Sequence, residues 1–307
     1  MKKVYQSYGI YAPLPFKTTF GFLVSLETLL PINMNLDILQ EPYTLSNEQL
    51  NFYRKNSFIK IKEVLPPEIV AYLNTIISAK VDEMNTQTLP LEERDTYGKA
   101  FLQVFNLWTQ DENIKQLLFS KRLAQLASDL MEVDGVRMYH DQALFKEGGG
   151  GITPWHVDQY YWPLTTDKTI TAWIPLQAIP MEMGPLEFAA GSQHIKVGRD
   201  LSISDESEII IGKKMRLSDC PKVAEPFDIG EISFHSGWVF HRAGANTTGQ
   251  TRKVMTIIYM DKDMILKQPE NEGQMNDWNT WCPNVKVGNI IDSHLNPVLF
   301  DRAPKNV

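Results

Sequence analysis

The spacing of hydrophobic and polar positions changes character near residue 136. Before it, apolar side chains recur mostly at helical intervals. Leu45 and Leu50 flank Ser46 and Gln49. That is a hydrophobic staple around a capping box, and it predicts a helix of about two turns ending at Tyr53 or Lys55. Phe58-Ile59-Lys60-Ile61-Lys62 alternates with period two, as a half-buried strand does. Pro66 and Pro67 open a second helix with Ile69, Val70, Leu73, Ile76 and Ile77 on one face. A third helical region covers Asp111–Met131, with Ser120 capping its second half and Leu123, Leu126 and Leu130 as the buried stripe. Residues 1–43 carry no decisive pattern, and Thr18–Leu30 fits either a strand or a short helix.

From Val136 onward, short β-rich runs alternate with Gly, Pro and Asp turns: Val136–Phe145, Trp155–Trp162, Thr169–Leu176, Glu187–Ala190, Glu208–Ile211, Gly230–His235, Val239–His241 and Lys253–Asp261. Many short strands at this spacing predict a sandwich or jelly roll. The glycines Gly148–Gly151 read as a loop, because neither the GK[ST] ending nor the helix of a phosphate-binding loop follows. The expected architecture is one β-rich α+β domain over residues 1–307. Helical support occupies about 45–131 and a jelly-roll core about 136–261.

Composition narrows the function classes. The chain is 43% hydrophobic and 22% charged, with a formal net charge of -7. That balance argues against nucleic acid or an anionic membrane as the main partner and leaves a small molecule as the expected one. The apolar stretch Phe20–Pro31 contains Glu27 and is too short to span a bilayer. Two cysteines, Cys220 and Cys282, in no metal-like spacing, fit a reducing, cytoplasmic setting. The sequence leaves the oligomeric state open.

The candidate chemistry centres on His156-Val157-Asp158. Residues i and i+2 of a strand share a face, so an imidazole and a carboxylate there can aim at one point. His241, in a later strand-like segment, is the candidate third ligand. Two histidines and a carboxylate leave open positions on an octahedral ion, an arrangement suited to non-haem Fe(II) oxygenases. An HxD pair alone is a weak signal, and a zinc hydrolase with two histidines and one carboxylate is a competing reading. His235 lies in the same segment as His241. Arg252 opens the apolar run Arg252–Tyr259 and, if buried, needs an anion. That anion is either the distal carboxylate of 2-oxoglutarate or an ordinary acidic side chain. Tyr160 continues the His156/Asp158 face under period two and is the expected substrate contact, together with Gln103 in the upstream cluster Gln103, Asn106 and Trp108.

Taken in order, several stretches resemble the phytanoyl-CoA dioxygenase family of Fe(II)/2-oxoglutarate oxygenases. They are Asp141–Lys146 with its Gly-rich loop, Trp155-His156-Val157-Asp158, Thr171–Leu176, Met183-Gly184-Pro185-Leu186, Gly191-Ser192-Gln193-His194, and His241 with Arg252 eleven residues later. The resemblance implies a double-stranded β-helix (jelly roll, cupin-like) with flanking helices. It implies His156, Asp158 and His241 as iron ligands and Arg252 as the partner of the 2-oxoglutarate tail. Gln142 and Trp173 sit where the family contacts the cosubstrate, and Thr171 adds a hydroxyl there. The spacing to Arg252 favours His241 over His235. The implied reaction couples O2 and decarboxylation of 2-oxoglutarate to succinate with hydroxylation of an unactivated C–H bond. A carboxylate at position 158 favours hydroxylation or desaturation over halogenation. Oxidative rearrangement or epimerisation with the same cofactors, or a non-catalytic metal-binding jelly roll, are the alternatives.

Overall fold

The structure, a computed structural model, describes residues 34–302. The expected element within Thr18–Leu30 lies outside them. Helix α1 (Asn47–Asn56) begins as its sequence dictates: the Gln49 amide donates to the Ser46 hydroxyl, and the Ser46 amide donates to the Gln49 side chain. It ends at Ser57 in left-handed geometry, which turns the chain into strand β1 (Phe58–Ile61). Helix α2 (Pro67–Met84) buries Ile69, Val70, Leu73, Ile77 and Val81. Each such side chain fully withdrawn from water contributes roughly 1.5–3 kcal/mol. A short helix α3 (Thr96–Ala100) and strand β2 (Leu102–Phe105) follow. The helical region Asp111–Met131 consists of α4 (Glu112–Leu118) and α5 (Lys121–Met131), divided at Ser120, where the sequence places a cap. The Ser120 hydroxyl accepts from the Leu123 amide and so caps the second.

The remaining elements are β3 (Gly135–Lys146), β4 (Thr153–His156), β5 (Thr169–Pro175), β6 (Leu186–Ala189), α6 (Asp205–Leu217), β7 (Lys222–Ala224), β8 (Ile232–Ser236), β9 (His241–Ala243), β10 (Arg252–Asp261), α7 (Glu272–Trp281) and β11 (Val298–Asp301). Three expected strands are corrected. Of Val239–His241 only His241 is strand, as the first residue of β9. Trp155–Trp162 is strand only through His156 and then coils into a 3-10 turn at Asp158–Tyr161. Glu208–Ile211 lies inside α6, where the Ser204 and Ser207 side chains cap the start. Only Ile211 of the three consecutive isoleucines is buried, with Met215 one turn on, while Ile209 and Ile210 face solvent. That is a helical period hidden in a β-branched run.

The strands form two antiparallel sheets. The larger runs β1-β8-β5-β10-β3-β11, with β2 also paired to β3; the smaller runs β4-β9-β6-β7. Alternation divides the large sheet into two faces. Ile170, Ala172, Ile174, Ile232, Phe234, Met255 and Ile257 point outward into the principal core, against residues of α2, α4 and α5. Thr171, Trp173, His235, Gln142, Thr256 and Arg252 point inward and line a cavity shared with the small sheet. Helix α6 covers the small sheet's outer face. There Glu208 accepts from the Trp155 amide and, with Glu187, from Arg242. This is the β-rich jelly roll with flanking helices that the sequence predicts. Among the described residues no helix is long and apolar enough to cross a membrane.

Candidate metal centre

His156 ends β4 and His241 begins β9, and the antiparallel register sets them directly opposite each other. Their ring centroids are 4.2 Å apart. Val157 stays extended (φ -128°, ψ 135°), so Asp158 returns to the face of His156 before the chain coils. Asp158 Oδ1 lies 3.5 Å from His156 Nε2 and 3.6 Å from His241 Nε2. One ligand atom from each residue lies within 4.8 Å of the other two, close enough to hold a metal ion.

The far nitrogen of each ring is tied down. His156 Nδ1 bonds the Pro154 carbonyl at 2.7 Å, and His241 Nδ1 bonds the Val239 carbonyl at 3.1 Å. A carbonyl only accepts, so the protons belong on Nδ1 and each Nε2 keeps its lone pair for the site. Burial, followed by the neighbouring His156, holds His241 well below the usual histidine range. It is therefore the neutral imidazole that metal binding requires. Burial pushes the Asp158 carboxyl up, but His241, His156 and His235 outweigh it and keep the group well below the usual carboxylate range.

The two oxygens of Asp158 face different partners. Oδ2 accepts from Thr171 Oγ1 at 3.1 Å and from His235 Nε2 at 3.3 Å. Thr171 and His235 are cross-strand neighbours on β5 and β8, so one row of the large sheet grips this oxygen. Oδ1 is left toward the two histidines. His235 stays outside the three-residue cluster, so the geometry brings His241 into it and gives His235 to the carboxylate.

Arg252 begins β10 and is 1% exposed. Its guanidinium lies 5.4 Å over the Trp173 ring and donates from Nη1 to the Gly184 carbonyl, while Nε has no partner. Burial alone lowers its pKa to about 9, with no carboxylate acting against it. A structural Arg–carboxylate pair, the competing reading, therefore finds no carboxylate among the described residues. Gly184 holds the left-handed geometry (φ 66°) that aims its carbonyl at Arg252, and an added Cβ would come within 2.2 Å of the Gly244 oxygen.

Lys146 lies opposite Arg252 on β3 and is 0% exposed. It donates to the carbonyls of Gly151 at 2.5 Å and Gly244 at 2.8 Å. Burial, then the charge of Arg252, lowers its pKa to about 6. Sequence reading passed over it, because a lysine before Glu147 and four glycines looks like a surface strand end.

A cavity of about 200 Å³ joins the cluster to Arg252. Of the expected cosubstrate and substrate residues, Gln142, Trp173, Thr171 and Gln103 line it. Gln103 Nε2 donates to Gln142 Oε1 at 3.0 Å, and Tyr97 Oη donates to Gln103 Oε1 at 2.8 Å. Tyr160 is not among the lining residues. Its neighbour Tyr161 takes that place, because the 3-10 turn ends the period-two alternation after Asp158. Tyr160 instead packs with the apolar group around Trp155. Trp108 packs on Phe119, away from the cavity. His140 also lines the cavity, as do Asp277 and Trp281 from α7. No motif in the sequence marked that helix.

Residues 53–254 match the family model of phytanoyl-CoA dioxygenase (PhyH). The chain is similar to "phytanoyl-CoA dioxygenase domain-containing protein 1" of Danio rerio, 24% identical over 163 residues, covering 51% of this chain and 56% of that protein. The chain thus spans about half the length of that curated relative. Among solved structures it is similar to SnoK, a non-haem alpha-ketoglutarate-dependent carbocyclase from nogalamycin biosynthesis (TM-score 0.69, 23% identity, 85% of this chain and 100% of that one). The epimerase SnoN in complex with Fe3+, alpha ketoglutarate and nogalamycin RO gives a TM-score of 0.66 at 22% identity, over 82% of this chain and 98% of that one. EctD from S. alaskensis with 2-oxoglutarate and 5-hydroxyectoine gives 0.63 at 17% identity, over 88% and 93%. At these identities the solved structures speak for the fold, whereas the family model covers well over half of the chain. The chain belongs to the phytanoyl-CoA dioxygenase family.

Proposed function

We propose that this protein hydroxylates an unactivated C–H bond of a small organic molecule, with iron held by His156, Asp158 and His241 and 2-oxoglutarate held by Arg252. The donor set fits the metal: two imidazole nitrogens and one carboxylate oxygen converge, and each is fixed from behind by a hydrogen bond. The observation that carries the cosubstrate is Arg252, a buried cation with an unpartnered Nε and no acid beside it. A dicarboxylate supplies the missing charge and can accept from a planar guanidinium through two oxygens. Bound together, iron, 2-oxoglutarate and O2 supply the oxidising power, and 2-oxoglutarate leaves as succinate and CO2.

The chain's own residues bind and orient. Thr171 and His235 hold Asp158 so that one oxygen stays toward the histidines. Trp173, whose ring lies under the Arg252 guanidinium, and Leu186 add apolar wall to the cavity that would hold the diacid. Gln103 and Gln142 present a linked pair of amides to the same space. The two free cysteines fit a reducing compartment, and we read the protein as cytoplasmic.

A second reading, oxidative rearrangement without a new hydroxyl, draws support from the carbocyclase and epimerase among the similar structures. The test is conversion of 2-oxoglutarate to succinate by the Fe(II)-loaded protein with O2 and ascorbate, followed by product mass. Gain of one oxygen atom supports hydroxylation. Substrate-dependent turnover without it supports rearrangement. Absence of 2-oxoglutarate binding would overturn both.

A further inference from the structure

The cavity has an end that the iron and diacid roles leave unused. Helix α7 brings Asp277 and Trp281 there, four residues apart and so on one helical face. Trp281 stacks on His140 (4.5 Å between centroids, 21° between planes) and lies 5.0 Å from Phe105. Asp277 Oδ2 accepts from Tyr139 Oη at 3.2 Å. Tyr97 lines the same cavity.

Charge is what singles this end out. Among the described residues Arg252 is the only lysine or arginine lining the cavity, and the proposed diacid takes it. The two acids of the lining are Asp158, which faces the histidines, and Asp277. Burial pushes His140 down to about 4, so it supplies no positive charge at neutral pH. Burial likewise pushes the Asp277 carboxyl up to about 8, so it is largely protonated while the cavity is empty and ionises when a cation comes beside it. Arg252 lacks an anion; Asp277, at the far end, lacks a cation.

We propose that the molecule oxidised at this site is a compact apolar amine, its ammonium held by Asp277 among the rings of Trp281 and Tyr97. The rings supply apolar contact for the body of the molecule and their electron-rich faces for its charge. The proposal rests on the oxygenase reading for the amine's role as substrate; the binding of the amine does not depend on it.

The test is calorimetric titration of the full chain, loaded with Fe(II) and saturating 2-oxoglutarate without oxygen, using three probes of one shape: benzylamine, benzyl alcohol and benzoate. Benzylamine is expected to bind at least tenfold tighter than benzyl alcohol, with benzoate weakest. Asp277→Asn should bring benzylamine down to the alcohol's affinity while leaving the alcohol and 2-oxoglutarate unchanged. Equal or tighter binding of the alcohol or benzoate, no binding of benzylamine, or an amine preference that survives Asp277→Asn would each overturn the proposal. The wild-type preference is read without any substitution, so a variant that failed to fold would not shield the idea. If 2-oxoglutarate fails to bind while the Asp277-dependent preference persists, the oxygenase reading falls and the amine site stands. If 2-oxoglutarate binds and the preference is missing, only the amine proposal falls.

Discussion

Replacing Arg252 with methionine should make the protein more stable and unable to use its cosubstrate. The guanidinium is 1% exposed, and burial drops its pKa from 12.5 to about 9. At 1.36 kcal/mol per unit, holding that charge inside costs about 5 kcal/mol at neutral pH. Three interactions return part of it: the bond to Gly184, the Trp173 face and packing of the stem. Methionine keeps most of the apolar stem and removes the charge, and such replacements commonly stabilise by about 1–4 kcal/mol. Truncating a charge that grips a carboxylate weakens binding by about 2–5 kcal/mol, which is roughly two to three orders of magnitude in 2-oxoglutarate affinity. The assay is thermal unfolding of both proteins with and without 2-oxoglutarate in the presence of Fe(II) under nitrogen. Wild type should gain about 2.7 kcal/mol at a cosubstrate concentration one hundred times its Kd. Arg252→Met should unfold at a higher temperature without 2-oxoglutarate and gain almost nothing from adding it. A variant less stable than wild type, and still stabilised by 2-oxoglutarate, would refute the reasoning.

Three further outcomes follow from buried groups. Gly184→Ala puts a side chain at φ 66° and within 2.2 Å of the Gly244 oxygen; it should cost about 1–3 kcal/mol in unfolding free energy and weaken 2-oxoglutarate binding through Arg252. Lys146 has a folded pKa of about 6 against an ordinary 10.5. The unfolded chain therefore binds the proton more tightly between those values, and stability rises with pH across that window; Lys146→Met should flatten the slope in denaturant titrations. Asp141 is buried, and burial lifts its carboxyl from 3.8 to about 7. Its contribution is complete below 3.8 and lost as pH rises through about 7, so Asp141→Asn should remove that decline.

What could be read from the sequence was local or strictly periodic. The capping box at Ser46 and the cap at Ser120 are bonds between near neighbours, and both are made. The β-rich runs Thr169–Leu176, Gly230–His235 and Lys253–Asp261 were legible as strands and form β5, β8 and β10. The HxD pair worked by period two, since Val157 remains extended. Reading Tyr160 failed one turn later, where the backbone leaves β geometry. Helix α6 was missed because three β-branched residues in a row mask a period visible only in which one is buried. Lys146, His140 and Asp277 gained their character from burial, and burial is set by tertiary packing that no single segment encodes.

The central claim is that His156, Asp158 and His241 hold the iron while His235 only steadies Asp158. Equilibrium dialysis of Fe(II) against wild type, His241→Ala and His235→Ala separates the two histidines directly. Wild type should bind one iron per chain, His241→Ala should lose it, and His235→Ala should keep the stoichiometry with roughly 10–100-fold weaker affinity. Stoichiometric iron in His241→Ala, with none in His235→Ala, would contradict the account.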